Sequence, residues 1–207
     1  MPAAPQPPGR DAPGALPPVR TRIWDPLLRS FHWLLAAAVI TTWLLAKVGP
    51  AKMTLHFWLG YFILGLLAFR LVWGFVGPPE ARFAHFLRGP GAVTRYARHM
   101  FSREPSYWPG HNPLGALSVI AMLGLLAAQA TSGLFIDADD YINVGPLASS
   151  VSSATRKAML SWHHLGGTLI LILVLLHVGI ILFYRFWKGE DLIRPMVNGW
   201  KEVRRRD

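Results

Sequence analysis

Four long apolar runs dominate the pattern of hydrophobic and polar positions along the chain. They extend from about 27 to 46, 55 to 76, 114 to 136 and 160 to 184. Each run is long enough for a helix across the hydrocarbon core of a membrane, which needs about 20 predominantly apolar residues. Barrel strands would alternate apolar and polar residues with a period of two, whereas these runs are apolar on all sides. The pattern therefore predicts an all-α integral membrane protein built as a four-helix bundle.

The segments outside the runs are polar, basic or rich in proline. Residues 1–22 contain seven prolines, two glycines and no apolar periodicity, which predicts a disordered tail and no cleavable signal peptide. Residues 23–188 form the predicted membrane domain, and residues 189–207 form a basic tail. The segment 82–101 is basic with interspersed aromatic residues. A short helix in the membrane interface and a solvated loop both fit that composition.

The charge distribution predicts how the bundle is oriented. The chain has 21 Lys plus Arg against 11 Asp plus Glu, a net charge of +10. Fifteen basic residues lie in the connections on the side of the two termini, and only Lys47, Lys52, Arg156 and Lys157 lie on the other side. The positive-inside rule then places both termini in the cytoplasm. Because the basic residues flank apolar runs, the charge indicates membrane orientation and no nucleic-acid partner.

Composition narrows the chemistry that is available. Charged residues make up 15% of the chain, against about 25% in a typical soluble domain. The absence of cysteine excludes disulfides, thiolate-bound iron–sulfur clusters, covalent haem attachment and a cysteine nucleophile. Any chemistry must therefore use histidines, carboxylates or a cofactor that is held without a covalent bond.

Four of the eight histidines lie inside the apolar runs at matching depths. In the predicted orientation His32 and His177 lie towards the cytoplasm, and His56 and His163 lie towards the outside. Fourteen helical residues turn the chain about 40° short of four full turns and advance it by about 21 Å, so His163 and His177 project from nearly one face. His164 is about 140° away from His177, which favours an interfacial hydrogen bond for it. The sequence predicts two pairs, His32 with His177 and His56 with His163.

Paired histidines at two levels indicate two haem irons. Polar side chains in a bilayer usually face the bundle interior, and two imidazoles on opposite sides of an iron complete a six-coordinate haem site. Gly60, Gly166 and Gly167 lie three or four residues after a paired histidine, which would clear space for a flat ligand. The alternatives are helix-to-helix hydrogen bonds, or a bare metal ion as in a transporter or sensor.

Arg70 is a cation deep in the second run, fourteen residues after His56. A haem propionate is one partner that fits, and a lipid phosphate reached from the membrane boundary is the other. By contrast, His85, His99 and His111 lie in or beside the predicted cytoplasmic connection. We expect those three histidines to be exposed to solvent and to have no functional role.

Four segments carry a resemblance to a known family. They are Ser30–Trp33 (SFHW), Leu55–Gly60 (LHFWLG) with Arg70 behind it, Ser161–His177 (SWHHLGGTLILILVLLH) and Phe186–Met196 (FWKGEDLIRPM). Through them the chain resembles the bacterial cytochrome b561 family, which includes the b-type cytochrome subunits of nickel–iron hydrogenases. The resemblance implies a protein of the bacterial inner membrane with two b haems bound by His32, His56, His163 and His177. It also implies electron exchange with ubiquinone or menaquinone and with an outer redox protein, such as a c-type cytochrome or a hydrogenase subunit.

Electron transfer between quinone and an outer partner is therefore the predicted function, and a quinone-linked oxidoreductase activity is left open. One alternative is superoxide oxidation coupled to ubiquinone reduction, although the outer connections have a net charge of only +1 once Asp137, Asp139 and Asp140 are counted. The other is the metal transporter or sensor, for which broken helices or internal repeats would be expected. The sequence contains neither feature. The three aspartates could instead complement a basic redox partner.

Overall fold

The computed structural model describes residues 19–48, 53–103, 106, 108, 110–137 and 144–203. Its elements in chain order are β1 (Val19–Arg22), α1 (Pro26–Val48), α2 (Met53–Val76), α3 (Phe83–Phe86), α4 (Pro90–Arg98), α5 (Pro113–Gly133), α6 (Ser153–Trp187), α7 (Ile193–Asn198) and β2 (Trp200–Val203). Among these, α1, α2, α5 and α6 are long and apolar enough to cross a membrane. The four predicted spanning helices are thus present, with ends that differ by a few residues.

Side-chain caps explain where three of the spanning helices begin. The side chains of Asp25, Asn112 and Ser152 accept first-turn backbone N–H groups of α1, α5 and α6 at 3.0, 2.8 and 3.2 Å. Such caps satisfy backbone donors that have no partner within the helix. Because Ser152 acts as a cap, α6 begins at Ser153 and not near the predicted residue 160, and it continues for 35 residues.

The spanning helices pack as two hairpins. Helix α1 packs against α2, α5 packs against α6, and α2 also contacts α5. The start of α1 and the end of α6 lie at the same end of the bundle as the β1–β2 sheet. We call this end the inner end and the opposite end the outer end, following the predicted orientation. Most apolar side chains of the four spans lie on the protein surface, as expected for helices surrounded by lipid.

The inner end contains folded structure from the segment before α1 and from the segment after α6. Strands β1 and β2 pair antiparallel, with Val19 opposite Val203. The predicted disordered tail is therefore wrong for residues 19–22, while residues 1–18 lie outside the described part of the chain. The predicted basic tail is likewise folded as far as Val203, because alternate residues of β2 are buried and Val203 joins an apolar cluster.

That apolar cluster joins the strands to the membrane domain. Its buried members come from β2, from α1 and the residues before it, and from the connection after α2: Ile23, Trp24, Leu28, Phe31, Ala81 and Val203. Gly199 makes the close approach possible, since its φ is +87° and an added Cβ would lie 2.7 Å from the Trp24 carbonyl oxygen. The Gly199 carbonyl accepts the backbone N–H groups of Ile23 and Trp24 at 2.9 and 3.2 Å.

The basic segment 82–101 contains a helix, so of the two predicted alternatives the solvated loop is wrong for residues 90–98. Helix α4 has no buried residue, and its last turn contains Arg95 and Arg98. Proline at its start and a glycine before it are consistent with a helix that begins at residue 90. It covers part of the surface at the inner end.

Candidate functional site

The four histidines of the spanning helices form two facing pairs. The ring centres of His32 on α1 and His177 on α6 are 6.4 Å apart, and we call these residues the inner pair. The ring centres of His56 on α2 and His163 on α6 are 6.1 Å apart, and these form the outer pair. His164 is exposed. The structure therefore brings together the two pairs that helical periodicity predicts.

The spacing of both pairs fits two imidazoles that share one iron. A ligating nitrogen lies about 2 Å from the metal and about 1.1 Å from its ring centre, so the two ring centres should be about 6.2 Å apart. The observed values of 6.4 and 6.1 Å agree with this distance. Within the described residues, no hydrogen bond joins the two rings of either pair, so a hydrogen bond between the two histidines does not explain why they face each other.

A bare metal ion fits the pairs less well than haem iron. Across the described parts of the chain, no group of three or more His, Asp or Glu side chains is placed to hold a metal ion. Two histidines alone supply too few ligands for an isolated zinc or copper site, whereas haem iron receives four of its ligands from the porphyrin. The donor set therefore fits haem iron better than a bare metal ion.

Hydrogen bonds fix the rings of the outer pair. His56 Nδ1 lies 3.0 Å from the Thr42 carbonyl oxygen, and His163 Nδ1 lies 3.1 Å from the Gln129 carbonyl oxygen. A carbonyl oxygen can only accept, so each Nδ1 carries the hydrogen and each Nε2 has a free lone pair. The Ser132 hydroxyl lies 3.1 Å from His163 Nδ1 as well. Both outer rings are thus held in the tautomer that binds metal through Nε2.

An apolar cleft of about 170 Å³ adjoins the outer pair, and its lining includes Phe57, Gly60 and Leu160. A Cβ added at Gly60 would meet nothing within 4 Å, in agreement with the predicted clearance. Gly167 differs from expectation, because it does not line this cleft, and a Cβ there would make an ordinary contact of 3.7 Å with the Gln129 amide nitrogen. Gly166 also faces the Gln129 side chain. Gly166 allows the close approach of α6 to the Gln129 side chain of α5, and neither glycine lines the cleft.

The inner pair has a different environment. His32 Nδ1 is buried and has no hydrogen-bond partner among the described residues. Arg70 is only 3% exposed, so the alternative in which it reaches lipid phosphate is wrong. Its Nη2 donates to the Ala81 carbonyl at 3.1 Å, and its guanidinium lies 4.6 Å from the Phe83 ring centre. Arg70 Nη1 is buried without a partner in the described structure, which fits an anionic group such as a propionate.

His111 contradicts the expectation of a solvent-exposed histidine. Its ring centre lies 4.8 Å from that of Trp24 and 5.1 Å from that of Phe86. Burial, then the positive charges of Arg70 and Lys201, lower the pKa of His111 to about 3, so its ring is neutral at physiological pH. His85 and His99 are exposed as predicted.

A buried ion pair lies beneath the surface of the inner end. Lys201 Nζ and Glu190 Oε1 are 2.7 Å apart, and both side chains are less than 10% exposed. Ser106 donates to Glu190 Oε2 from its backbone N–H and its hydroxyl, and Lys201 donates to the Trp108 carbonyl. Burial alone would raise the pKa of Glu190, but Lys201 and Ser106 hold it below its usual value. The pair ties β2 to the connection after α6, and the hydrogen bonds of Ser106 and Trp108 tie both to the connection before α5.

Sequence analysis missed the residues that orient the outer pair. Ser132 and Gln129 are polar positions inside an apolar run without charge, which was the available signal because polar groups are costly in a bilayer. Thr42 acts through its backbone carbonyl, which sequence cannot indicate. On the outer surface Asp137 lies 3.8 Å from Arg156, while Asp139 and Asp140 lie outside the described residues.

Comparisons with known proteins indicate the family to which the chain belongs. A family model, prokaryotic cytochrome b561, matches residues 23–199. The chain is 24% identical to a probable Ni/Fe-hydrogenase B-type cytochrome subunit of Rhizobium leguminosarum bv. viciae, over 86% of this chain and 87% of the relative. The probable Ni/Fe-hydrogenase 1 B-type cytochrome subunit of Escherichia coli K12 is also 24% identical, over 86% of this chain and 89% of the relative. No solved structure gives a significant match. The chain therefore belongs to the prokaryotic cytochrome b561 family, as an integral membrane cytochrome with haem b and a role in electron transport.

Proposed function

We propose that this protein is a dihaem cytochrome that carries electrons across the bacterial inner membrane, between a quinone and a redox protein at the outer end. His32 and His177 bind one iron, and His56 and His163 bind the other. The observation that carries this proposal is the pair of histidine spacings, 6.4 and 6.1 Å, which both fit a shared iron. Bound haem supplies the one-electron redox chemistry.

The chain's own residues hold and orient the two groups. Helix α6 contributes one ligand to each site, and its fourteen-residue spacing places the ligands at levels about 21 Å apart along the helix axis. Thr42 and Gln129 hold the outer rings in the metal-binding tautomer, and Arg70 Nη1 is available to a propionate at the inner end. An iron held by two histidines in this way would have no ligand position left for oxygen or water, so the site would serve electron transfer and not oxygen chemistry.

The partner proposal rests on the named relatives and on charge. Both relatives described above are named as B-type cytochrome subunits of Ni/Fe-hydrogenases, which supports a hydrogenase-type subunit as the outer partner. A c-type cytochrome is the other candidate. Ubiquinone or menaquinone serves as the membrane partner, and both termini lie in the cytoplasm by the positive-inside rule.

Anaerobic reduction by a quinol tests the electron-transfer proposal directly. The detergent-purified protein, oxidised beforehand, is mixed with decylubiquinol or with a menaquinol analogue, and the b-type absorbance is followed. We expect at least one of the two quinols to reduce the haems, and the corresponding quinone to reoxidise them after dithionite is removed. Haem that dithionite reduces but neither quinol reduces would contradict the quinone partnership while leaving the haem ligation intact.

Reporter fusions at the C-terminus test the orientation. A fluorescent protein that matures only in the cytoplasm should be fluorescent, and alkaline phosphatase at the same position should be inactive. The opposite result would place the pair that we call inner at the outer surface.

A further inference from the structure

The two rings contributed by α6 differ in their hydrogen bonding. His163 Nδ1 has two neighbours that can accept its hydrogen, the Gln129 carbonyl oxygen and the Ser132 hydroxyl, both at 3.1 Å. The Ser132 hydroxyl itself donates to the Gln129 carbonyl at 2.7 Å, so its lone pairs remain free to accept. His177 has no hydrogen bond to its ring in the described structure. The four-residue turn 129–132 of α5 therefore acts on the outer site alone.

Ser132 has the position expected of a residue that acts through His163. It is 3% exposed, and among the described residues its hydroxyl forms hydrogen bonds only with the Gln129 carbonyl and the His163 ring. The Gln129 side chain fixes the same turn to α6, since its amide donates to the His163 carbonyl at 2.9 Å. The hydroxyl is therefore buried, directed and held at a set distance from one ring nitrogen.

We propose that Ser132 is a positioning residue for His163, and that its hydroxyl helps to make the outer haem the lower in reduction potential of the two. This inference rests on the proposed ligation of the two haems. An imidazole whose Nδ1–H donates to acceptors becomes a more basic ligand at Nε2. A more basic ligand stabilises the ferric state, which carries one more positive charge, and so lowers the potential.

In the described structure the inner site has no such acceptor to lower its potential, and it has a buried cation that raises it. His32 Nδ1 is buried and has no partner in the described structure, so its ligand strength is not increased by an acceptor. The buried Arg70 guanidinium lies 6.0 Å from the ring centre of Phe86, which in turn contacts His111 at the inner end, and this places a fixed positive charge in the inner region. A nearby cation favours the reduced haem, which has the lower net charge. Both contributions raise the inner potential relative to the outer one.

Single-haem proteins make the test specific. His177→Ala should retain only the outer haem, and Ser132→Ala is then introduced into that background. Ser118→Ala in the same background is the matched control, because Ser118 lies on the same helix and its hydroxyl contacts only the Met122 sulfur among the described residues. The midpoint potential of each protein is measured by anaerobic redox titration. His56→Ala, which should retain only the inner haem, provides the inner potential.

We expect Ser132→Ala to raise the midpoint potential of the outer haem, so that its reduced-to-oxidised ratio at a fixed potential increases about threefold or more. A tenfold change in this ratio corresponds to about 59 mV for a one-electron couple. Ser118→Ala should leave the potential unchanged. An unchanged or lowered potential in Ser132→Ala would overturn the inference while the haem count still supports the ligation. If the Ser132→Ala protein binds no haem, the test is the comparison of the two single-haem proteins, His177→Ala and His56→Ala. A higher midpoint potential for the outer haem than for the inner haem would then contradict the proposal. Absence of haem from His177→Ala would instead contradict the proposed ligand assignment.

Discussion

The two ends of the bundle hold the same kind of histidine pair by different means. At the outer end the rings are oriented by hydrogen bonds from within the spanning helices, through Thr42, Gln129 and Ser132. At the inner end, within the described residues, no hydrogen bond orients His32 through Nδ1, but folded segments from both ends of the described chain pack against the start of α1. An imidazole can thus be placed by direct bonds to its second nitrogen or by packing around it.

This difference determines which residues each site depends on. The outer site depends on polar atoms in the membrane-spanning helices and on the cleft beside Gly60. The inner site depends on residues outside the spans, among them the Glu190–Lys201 ion pair, and on the buried cation Arg70. Substitutions chosen at one end should therefore leave the other end unchanged.

The largest expected effect comes from breaking the buried ion pair. Lys201→Met leaves the Glu190 carboxylate buried without its cation, which should cost about 3–5 kcal/mol of unfolding free energy. Denaturant titration in detergent should then release the inner haem well before the outer haem. Lys157→Met, at an exposed position of the outer end, is the control and should change stability by about 0.5 kcal/mol or less. Equal loss of the two haems in Lys201→Met would contradict the separation of the two ends.

Filling the outer cleft should affect only the outer haem. Gly60→Leu places a side chain where an added Cβ meets nothing within 4 Å. If haem occupies that space, the variant should hold about one haem per chain instead of two, as measured by pyridine haemochrome. Gly124→Leu is the matched control, because its Cβ also meets nothing within 4 Å but its position is exposed on α5. A full haem complement in Gly60→Leu would remove Gly60 from the cofactor site.

Arg70 should act on the inner haem alone. Arg70→Met removes a buried positive charge, and a nearby cation favours the reduced haem, which has the lower net charge. We expect the midpoint potential of the inner haem to fall, so that this haem becomes harder to reduce, while the outer potential does not change. Arg70→Lys keeps the charge and should show the smaller shift. A shift of the outer potential equal to that of the inner one would exclude a local effect of Arg70.

Acid should weaken the inner end first, and this is the smallest effect that we predict. The pKa of Glu190 is lower in the folded protein than its usual value, so its contribution to stability is present above the usual value and is lost as pH falls through the folded one. Inner-haem retention should therefore decrease below about pH 4. Glu190→Gln should reduce this dependence, even though the variant is less stable at neutral pH. Identical acid profiles for the two proteins would assign the acid sensitivity to other groups.

Sequence alone predicted the features that depend on helical periodicity. The fourteen-residue spacing places His163 and His177 on one face, and the facing ring pairs follow from that placement together with the antiparallel order of the helices. Such local geometry is nearly independent of the rest of the chain. Helical periodicity alone therefore predicts which histidines face each other, without knowledge of any contact between helices.

Features that depend on contacts between distant segments were not predicted. His111 is partly buried because Trp24 and Phe86 pack against it, and both lie more than twenty positions away in the chain. The fold of residues 19–22 requires β2 from the other end of the chain. The importance of Ser132 depends on the register of α5 against α6, which periodicity within one helix does not determine.

Haem content of two neighbouring variants tests the central claim most directly. Pyridine haemochrome analysis of the wild-type protein, His163→Ala and His164→Ala, each purified in detergent, should give about two, one and two haems per chain, with low-spin b-type spectra. His164 is the control because it is adjacent to His163 in sequence but is not part of either facing pair. Two haems in His163→Ala, or a haem lost from His164→Ala with His163 intact, would contradict the account.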